Sequence, residues 1–131
     1  IQGNDQSNQV FAIDVPELGL IGTANLVNID WKNRSAFHGI MLGDKEIRGK
    51  GYAKDAVLAI MKFAFEELGL NRLDGDMIAY NERSIEFYTK SCGWVIEGRK
   101  KGAFYRAGAY HDKVIVGIDC EQYFSNKALQ E

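Results

Sequence analysis

Ile47-Arg48-Gly49-Lys50-Gly51-Tyr52-Ala53 sets two glycines one residue apart, directly ahead of a long stretch with helical periodicity. Glycines at that spacing let the backbone turn tightly and aim successive N–H groups at one point, and the helix behind them adds the positive end of its dipole. Such a turn suits phosphate oxygens, with the cations of Arg48 and Lys50 beside it. A ligand-free glycine turn between a strand and a helix explains the same residues, because glycine spacing alone is a weak signal. Two common phosphate loops fail on register. A nucleoside-triphosphate loop needs GxxxxGK followed by Ser or Thr, yet Arg48 stands five positions after Gly43 and Lys50 is followed by Gly51. A dinucleotide fingerprint needs a small residue where Lys54 stands.

A second punctuated segment, Asn81-Glu82-Arg83-Ser84-Ile85-Glu86-Phe87-Tyr88, follows thirty residues later. Asn81 is a strong helix N-cap, since its side-chain oxygen accepts from an otherwise unpaired N–H two or three residues on. Cys92, just before Gly93, reads as structural, because no base stands beside it in the sequence to activate it as a nucleophile.

The elements that must position these residues are legible from pattern. Val10 to Ile13, Leu20 to Leu26 and Ala36 to Leu42 read as strands, the first two separated by Pro16 and Gly19. From Gly51 the apolar period becomes about 3.6, with Ala53, Ala56, Val57, Ile60, Met61, Ala64, Phe65 and Leu68 on one stripe and Gly69 as left-handed cap. Residues 71 to about 80 read as a strand, 82 to about 92 as a helix, and Trp94 to Tyr105 with Ala109 to Ile118 as a long hairpin turning near Ala107-Gly108. The expected order is β-β-β-α-β-α-β-β: an α/β (α+β) fold with a mixed, mostly antiparallel sheet flanked by helices. One domain is expected over 1–131, with a core of about 10–119 and a polar tail over 120–131.

Composition sets the outer limits. A chain of 131 residues that is 46% hydrophobic can pack one core without crosslinks. Sixteen basic and eighteen acidic residues give a formal charge of −2 and no field for nucleic acid; Arg99-Lys100-Lys101 reads as a solvated hairpin edge. Cys92 and Cys120 form no CxxC, which argues against a zinc site or a disulfide framework and for reduced thiols in the cytoplasm; no metal is expected. No apolar run approaches the roughly 18 residues that span a bilayer.

With both segments in view, the chain resembles the GNAT superfamily of N-acetyltransferases. The acetyl-CoA loop of that family has the form Arg or Gln, any two residues, Gly, any one, Gly or Ala, and Arg48, Gly51 and Ala53 fill those places. Asn81, Ser84, Tyr88 and Gly93-Trp94 match its second segment, while Glu97-Gly98-Arg99 and Gly108-x-Tyr110-His111-Asp112 match the hairpin of one branch. That branch holds ribosomal-protein N-terminal acetyltransferases and spermidine acetyltransferases. The resemblance covers roughly residues 20 to 118.

The resemblance implies a GNAT fold and acetyl-CoA as co-substrate, with direct transfer of acetyl to an amine of a polyamine, an amino sugar or a peptide N-terminus. It implies that Arg48, Gly49, Lys50, Gly51, Tyr52 and Ala53 hold the diphosphate, that Asn81 and Ser84 face the cofactor, and that the strand residues Ile40, Met41 and Leu42 pair with pantetheine as an added strand would. Tyr88 is implied as general acid toward the departing thiolate; a ring filling the helix–sheet interface is the alternative. His38 is a tentative base, with an ordinary pKa near 6.5 that suits the role; a packed or solvated histidine, Glu97, Asp112 or a water chain are alternatives. The family carries a first strand and two helices ahead of the strands read here, and this chain is expected to lack them, leaving a wide acceptor cleft and an apolar face that favours a homodimer. A non-catalytic acetyl-CoA-binding module and a purely structural domain are the competing function classes.

Overall fold

The structure is a computed structural model and describes residues 7–43 and 51–130. It divides into two compact units, 1–73 and 74–131.

The first unit begins with three antiparallel strands in sequence order, β1 (Gln9–Val15), β2 (Gly19–Asp30) and β3 (Ser35–Leu42). Asp30 fixes the β2–β3 turn: one carboxylate oxygen accepts the N–H groups of Lys32 and Asn33, and the other accepts from the Asn33 amide. Helix α1 (Tyr52–Lys62) then packs on one sheet face, where the Phe11 and Phe63 rings meet edge to face at 5.3 Å. Period-two alternation sorts the strands into a covered face, with Ala24, Leu26 and Ala36 buried, and an open face, where Val10 and Met41 are exposed. Full burial of side chains such as Leu26 and Val57 contributes about 1.5–3 kcal/mol each.

The stripe from Ala53 to Leu68 is helical as expected, but not uniformly. Phe63–Glu67 widens into a π turn, in which the Leu68 N–H reaches back five residues to the Phe63 carbonyl at 3.0 Å. Gly69 then ends the helix with a φ of 67°.

The second unit contains most of β4 (Arg72–Ile78), then helix α2 (Glu82–Glu86), β5 (Val95–Arg106), β6 (Ala109–Asp119) and α3 (Cys120–Gln130), with strand order β4-β6-β5. Helix α2 also runs into a π turn, Phe87–Ser91. The β5–β6 hairpin closes through Ala107 and Gly108 at φ 53° and 81°, the pair of positive values that a two-residue turn between right-twisted strands demands.

Residues 120–131, expected as a polar tail, are corrected to a helix over 120–130. Its N-terminus is a reciprocal capping box: the Asp119 carboxylate accepts from the Gln122 N–H at 2.8 Å, and the Gln122 side chain accepts from the Asp119 N–H at 2.9 Å. Tyr123 is buried from that helix. Its Asn126 amide nitrogen would lie 2.7 Å from a Cβ on Gly93, so α3 packs closely on the α2–β5 turn, where the φ of 82° itself favours glycine.

Candidate active site

In the first unit the residues of interest lie at the end of β3 and the start of α1. Ile40, Met41 and Leu42 pair with Ala24, Thr23 and Gly22 of β2. Ile40 shares the covered face with His38, while Met41 stands on the open face at 73% exposure. The pairing ends where the Gly43 N–H donates to the Ile21 carbonyl at 2.9 Å. Gly22 sets the spacing here, because a Cβ on it would run into the Met41 carbonyl and lie 3.0 Å from the Leu42 Cα.

Helix α1 opens on Gly51, whose φ of 86° lies in the left-handed region and which, as glycine, offers the first turn no capping side chain of its own. Among the described residues nothing stands within 4 Å of a Cβ built on Gly51, and its φ of 86° is itself a reason for glycine there. The first helical bond runs from the Asp55 N–H to the Gly51 carbonyl at 3.0 Å. The N–H groups of Tyr52, Ala53 and Lys54 ahead of it have no intrahelical acceptor and point along the positive end of the helix dipole. These donors are what an anionic diphosphate requires. Arg48, Gly49 and Lys50 lie outside the described residues.

His38 is 4% exposed. It pairs across the strands with the fully buried Leu26, and its Nδ1 is 3.1 Å from the Asn25 carbonyl. Burial pushes its pKa below the ordinary histidine value, and the Asn25 hydrogen bond opposes that only in part. The imidazole is therefore neutral at neutral pH and packed on the face that α1 covers.

In the second unit, Asn81 caps α2 as its residue type predicts: Oδ1 accepts from the Ser84 N–H at 3.2 Å, and the Ile85 N–H donates to the Asn81 carbonyl at 3.2 Å. Ser84 is half-buried and Asn81 exposed. Tyr88 sits inside the π turn that extends α2, and it is 7% exposed. The Phe87 and Trp94 rings contact its ring edge to face at 5.2 and 5.0 Å. Burial, and secondarily the neighbouring Cys92, raise the Tyr88 phenol well above its ordinary pKa. The phenol thus keeps its proton at any physiological pH, as a proton donor must.

Asp112 is tied up. It accepts from Arg99 Nε at 2.7 Å and from the Gly102 N–H at 3.0 Å, and these bonds, Arg99 first, hold its carboxyl below the usual range. Glu97 is exposed on β5. The roles of Gly22, and of Trp94 as the wall behind Tyr88, were not read from the sequence; neither residue type signals such a contact without the strand register. Among the described residues no cluster of three or more His, Cys, Asp and Glu could hold a metal ion, and no helix is long and apolar enough to cross a membrane.

Comparison with known proteins adds independent findings. Residues 1–102 match the family model described as an acetyltransferase (GNAT) domain. The chain is 28% identical over 107 residues to the SPbeta prophage-derived uncharacterized N-acetyltransferase YokL of Bacillus subtilis, covering 82% of this chain and 59% of that protein. It is 28% identical over 109 residues to a spermidine N(1)-acetyltransferase of Vibrio cholerae, covering 83% and 62%. To the putative ribosomal N-acetyltransferase YdaF of Bacillus subtilis it is 36% identical over 99 residues, covering 76% and 53%. The chain thus spans between about half and three-fifths of the length of these relatives. A crystal structure of the spermidine/spermine N-acetyltransferase SpeG from Vibrio cholerae, described in complex with manganese ions, superposes with a TM-score of 0.87 at 26% identity, over 95% of this chain and 72% of that one. A dodecameric structure of the Vibrio cholerae enzyme gives a TM-score of 0.88 at 26% identity, over the same 95% and 72%.

Proposed function

The chain belongs to the GNAT acetyltransferase family, and from that premise we propose that it moves an acetyl group from acetyl-CoA to a primary amine of a small molecule or a peptide N-terminus. The observation that carries this reading is the left-handed Gly51 opening α1 within the family's acetyl-CoA loop. Its first-turn N–H groups suit a diphosphate, with Arg48 and Lys50 as charge partners by sequence. Bound acetyl-CoA would supply the activated thioester. In the proposal, the backbone of Ile40 to Leu42 aligns pantetheine, and Asn81 and Ser84 face the cofactor beside the α2 cap; as the amine nitrogen bonds to the acetyl carbon and the C–S bond breaks, the Tyr88 phenol gives its proton to the leaving sulfur, the nitrogen loses one to water, and water returns one to Tyr88. Calorimetric titration of acetyl-CoA tests the first half of the reading: saturable 1:1 binding is expected, and no heat at millimolar ligand would refute it.

A second reading, a binding module without turnover, is favoured by one observation. The base candidates are constrained, with His38 buried under α1 and Asp112 held by Arg99. A terminal α-amine, with a pKa near 8, is partly neutral without a base, which keeps a transferase workable for peptide acceptors. The proposal includes a homodimer formed through the open face that bears Val10 and Met41; sedimentation as a monomer at high concentration would remove that part.

A further inference from the structure

The β5–β6 hairpin carries a cationic, aromatic surface that the reading above does not use. The Phe104 ring lies beneath two cations, the Arg106 guanidinium at 5.4 Å and the Lys113 ammonium at 5.1 Å. Lys100 stands directly across from Lys113 in the strand register, and His111 across from Phe104. The register slips between these two pairs, setting residues 101–103 of β5 against Asp112 alone. Asp112 pins that bulge through Arg99 and the Gly102 N–H. Tyr80 stacks edge to face on His111 at 4.9 Å and is followed directly by Asn81, so the surface begins one residue from the α2 cap.

Like charges facing each other across antiparallel strands destabilise the pair. Lys113 is answered by Asp76 at 3.7 Å, but neither Lys100 nor Arg106 has a carboxylate in ion-pair range among the described residues. Arg106 Nη1 donates to the Tyr105 carbonyl at 3.0 Å. The rest of its planar fork remains for a bidentate anion, the geometry a carboxylate matches. A polyamine would meet like charge at this surface; an acceptor with carboxylates would relieve it.

Resting on the transferase reading, we propose that the acceptor is an amine whose body carries carboxylates, a peptide N-terminus followed by acidic residues or a small amino acid, and that Arg106 and Lys100 select it. The test compares kcat/KM, with acetyl-CoA saturating, for a peptide with acidic residues behind its free N-terminus, a neutral peptide of equal length, a free acidic amino acid and spermidine. It is run on the wild type and on the Lys100→Glu/Arg106→Glu double variant, alongside binding of the labelled acidic peptide.

The acidic peptide is expected to lead the neutral one by roughly tenfold through KM, as two exposed ion pairs allow. The double variant should reverse that order and leave acetyl-CoA affinity unchanged. The free amino acid matching the peptide would assign the small-molecule source, and trailing it the peptide source; either agrees with the proposal. Preference for spermidine, an order unaffected by charge reversal, or tighter binding of a single-stranded oligonucleotide than of the acidic peptide would overturn it. If acetyl-CoA binds but no acceptor turns over, the transferase reading fails by itself. Peptide binding that is lost in the double variant would then still support the carboxylate-selective surface, and peptide binding unchanged by the variant would refute it.

Discussion

Tyr88 and Trp94 hold each other twice: their rings meet edge to face at 5.0 Å, and the Trp94 N–H donates to the Tyr88 carbonyl at 3.0 Å. The first contact fixes the phenol ring, and the second fixes the π turn that carries it. A proton donor needs both, since an ill-placed phenol would lose the advantage of proximity.

Tyr88→Phe is therefore expected to lower kcat by about 10²–10⁴, the usual span of general acid catalysis, with acetyl-CoA affinity retained. Steady-state rates beside calorimetry check this, and an unchanged kcat would remove Tyr88 as the acid. Because burial raises the phenol above its ordinary value near 10, Tyr88 should introduce no loss of rate as pH rises from 8 to 10.

Gly51→Glu should weaken acetyl-CoA binding by at least about tenfold, since a carboxylate would compete for the N–H groups at the head of α1. Gly51→Ala, which adds no charge, should cost about 1–2 kcal/mol of stability through the left-handed φ and affect binding less. Equal affinity in the Glu variant and the wild type would contradict a diphosphate site there.

The glycine loop illustrates what was legible. Its spacing points to a phosphate turn only weakly, whereas the helix behind it follows from a 3.6-residue period and the cap at Asn81 from its residue type, so α1 and that cap were legible. The C-terminal helix was not, although Asp119 and Gln122 stand at capping-box spacing. Its apolar residues are sparse, with Tyr123 alone buried and Phe124 and Leu129 exposed, so the periodic signal is faint. The π turns were equally hidden, because one extra residue per turn barely disturbs an apolar stripe. His38 shows the limit for site residues: alternation says that Phe37 and His38 face opposite ways, but not which face α1 covers.

Gly22→Ala should destabilise the protein by about 1–3 kcal/mol, as overpacking does, because the new methyl would meet the Met41 backbone. Denaturant unfolding measures it. A midpoint equal to wild type would mean that β2 and β3 need no such close approach beside Leu42.

His38 predicts a pH effect on stability. The unfolded chain binds a proton at His38 with a pKa near 6.5, whereas the buried imidazole resists protonation. Below about pH 6.5 the unfolded state therefore takes up more protons than the native one, and stability falls as pH drops. His38→Gln should flatten the loss in Tm between pH 7.5 and pH 5; an identical pH slope in both proteins would show that His38 does not drive it.

The most direct test of the central claim is release of free thiol from acetyl-CoA by the purified protein, with and without a panel of primary amines. Release that depends on the amine, is accompanied by an acetylated amine in the mass spectrum, and is sharply reduced in Tyr88→Phe is the predicted result. Acetyl-CoA binding with no amine-dependent release from any member of the panel would contradict a transferase and leave a binding module.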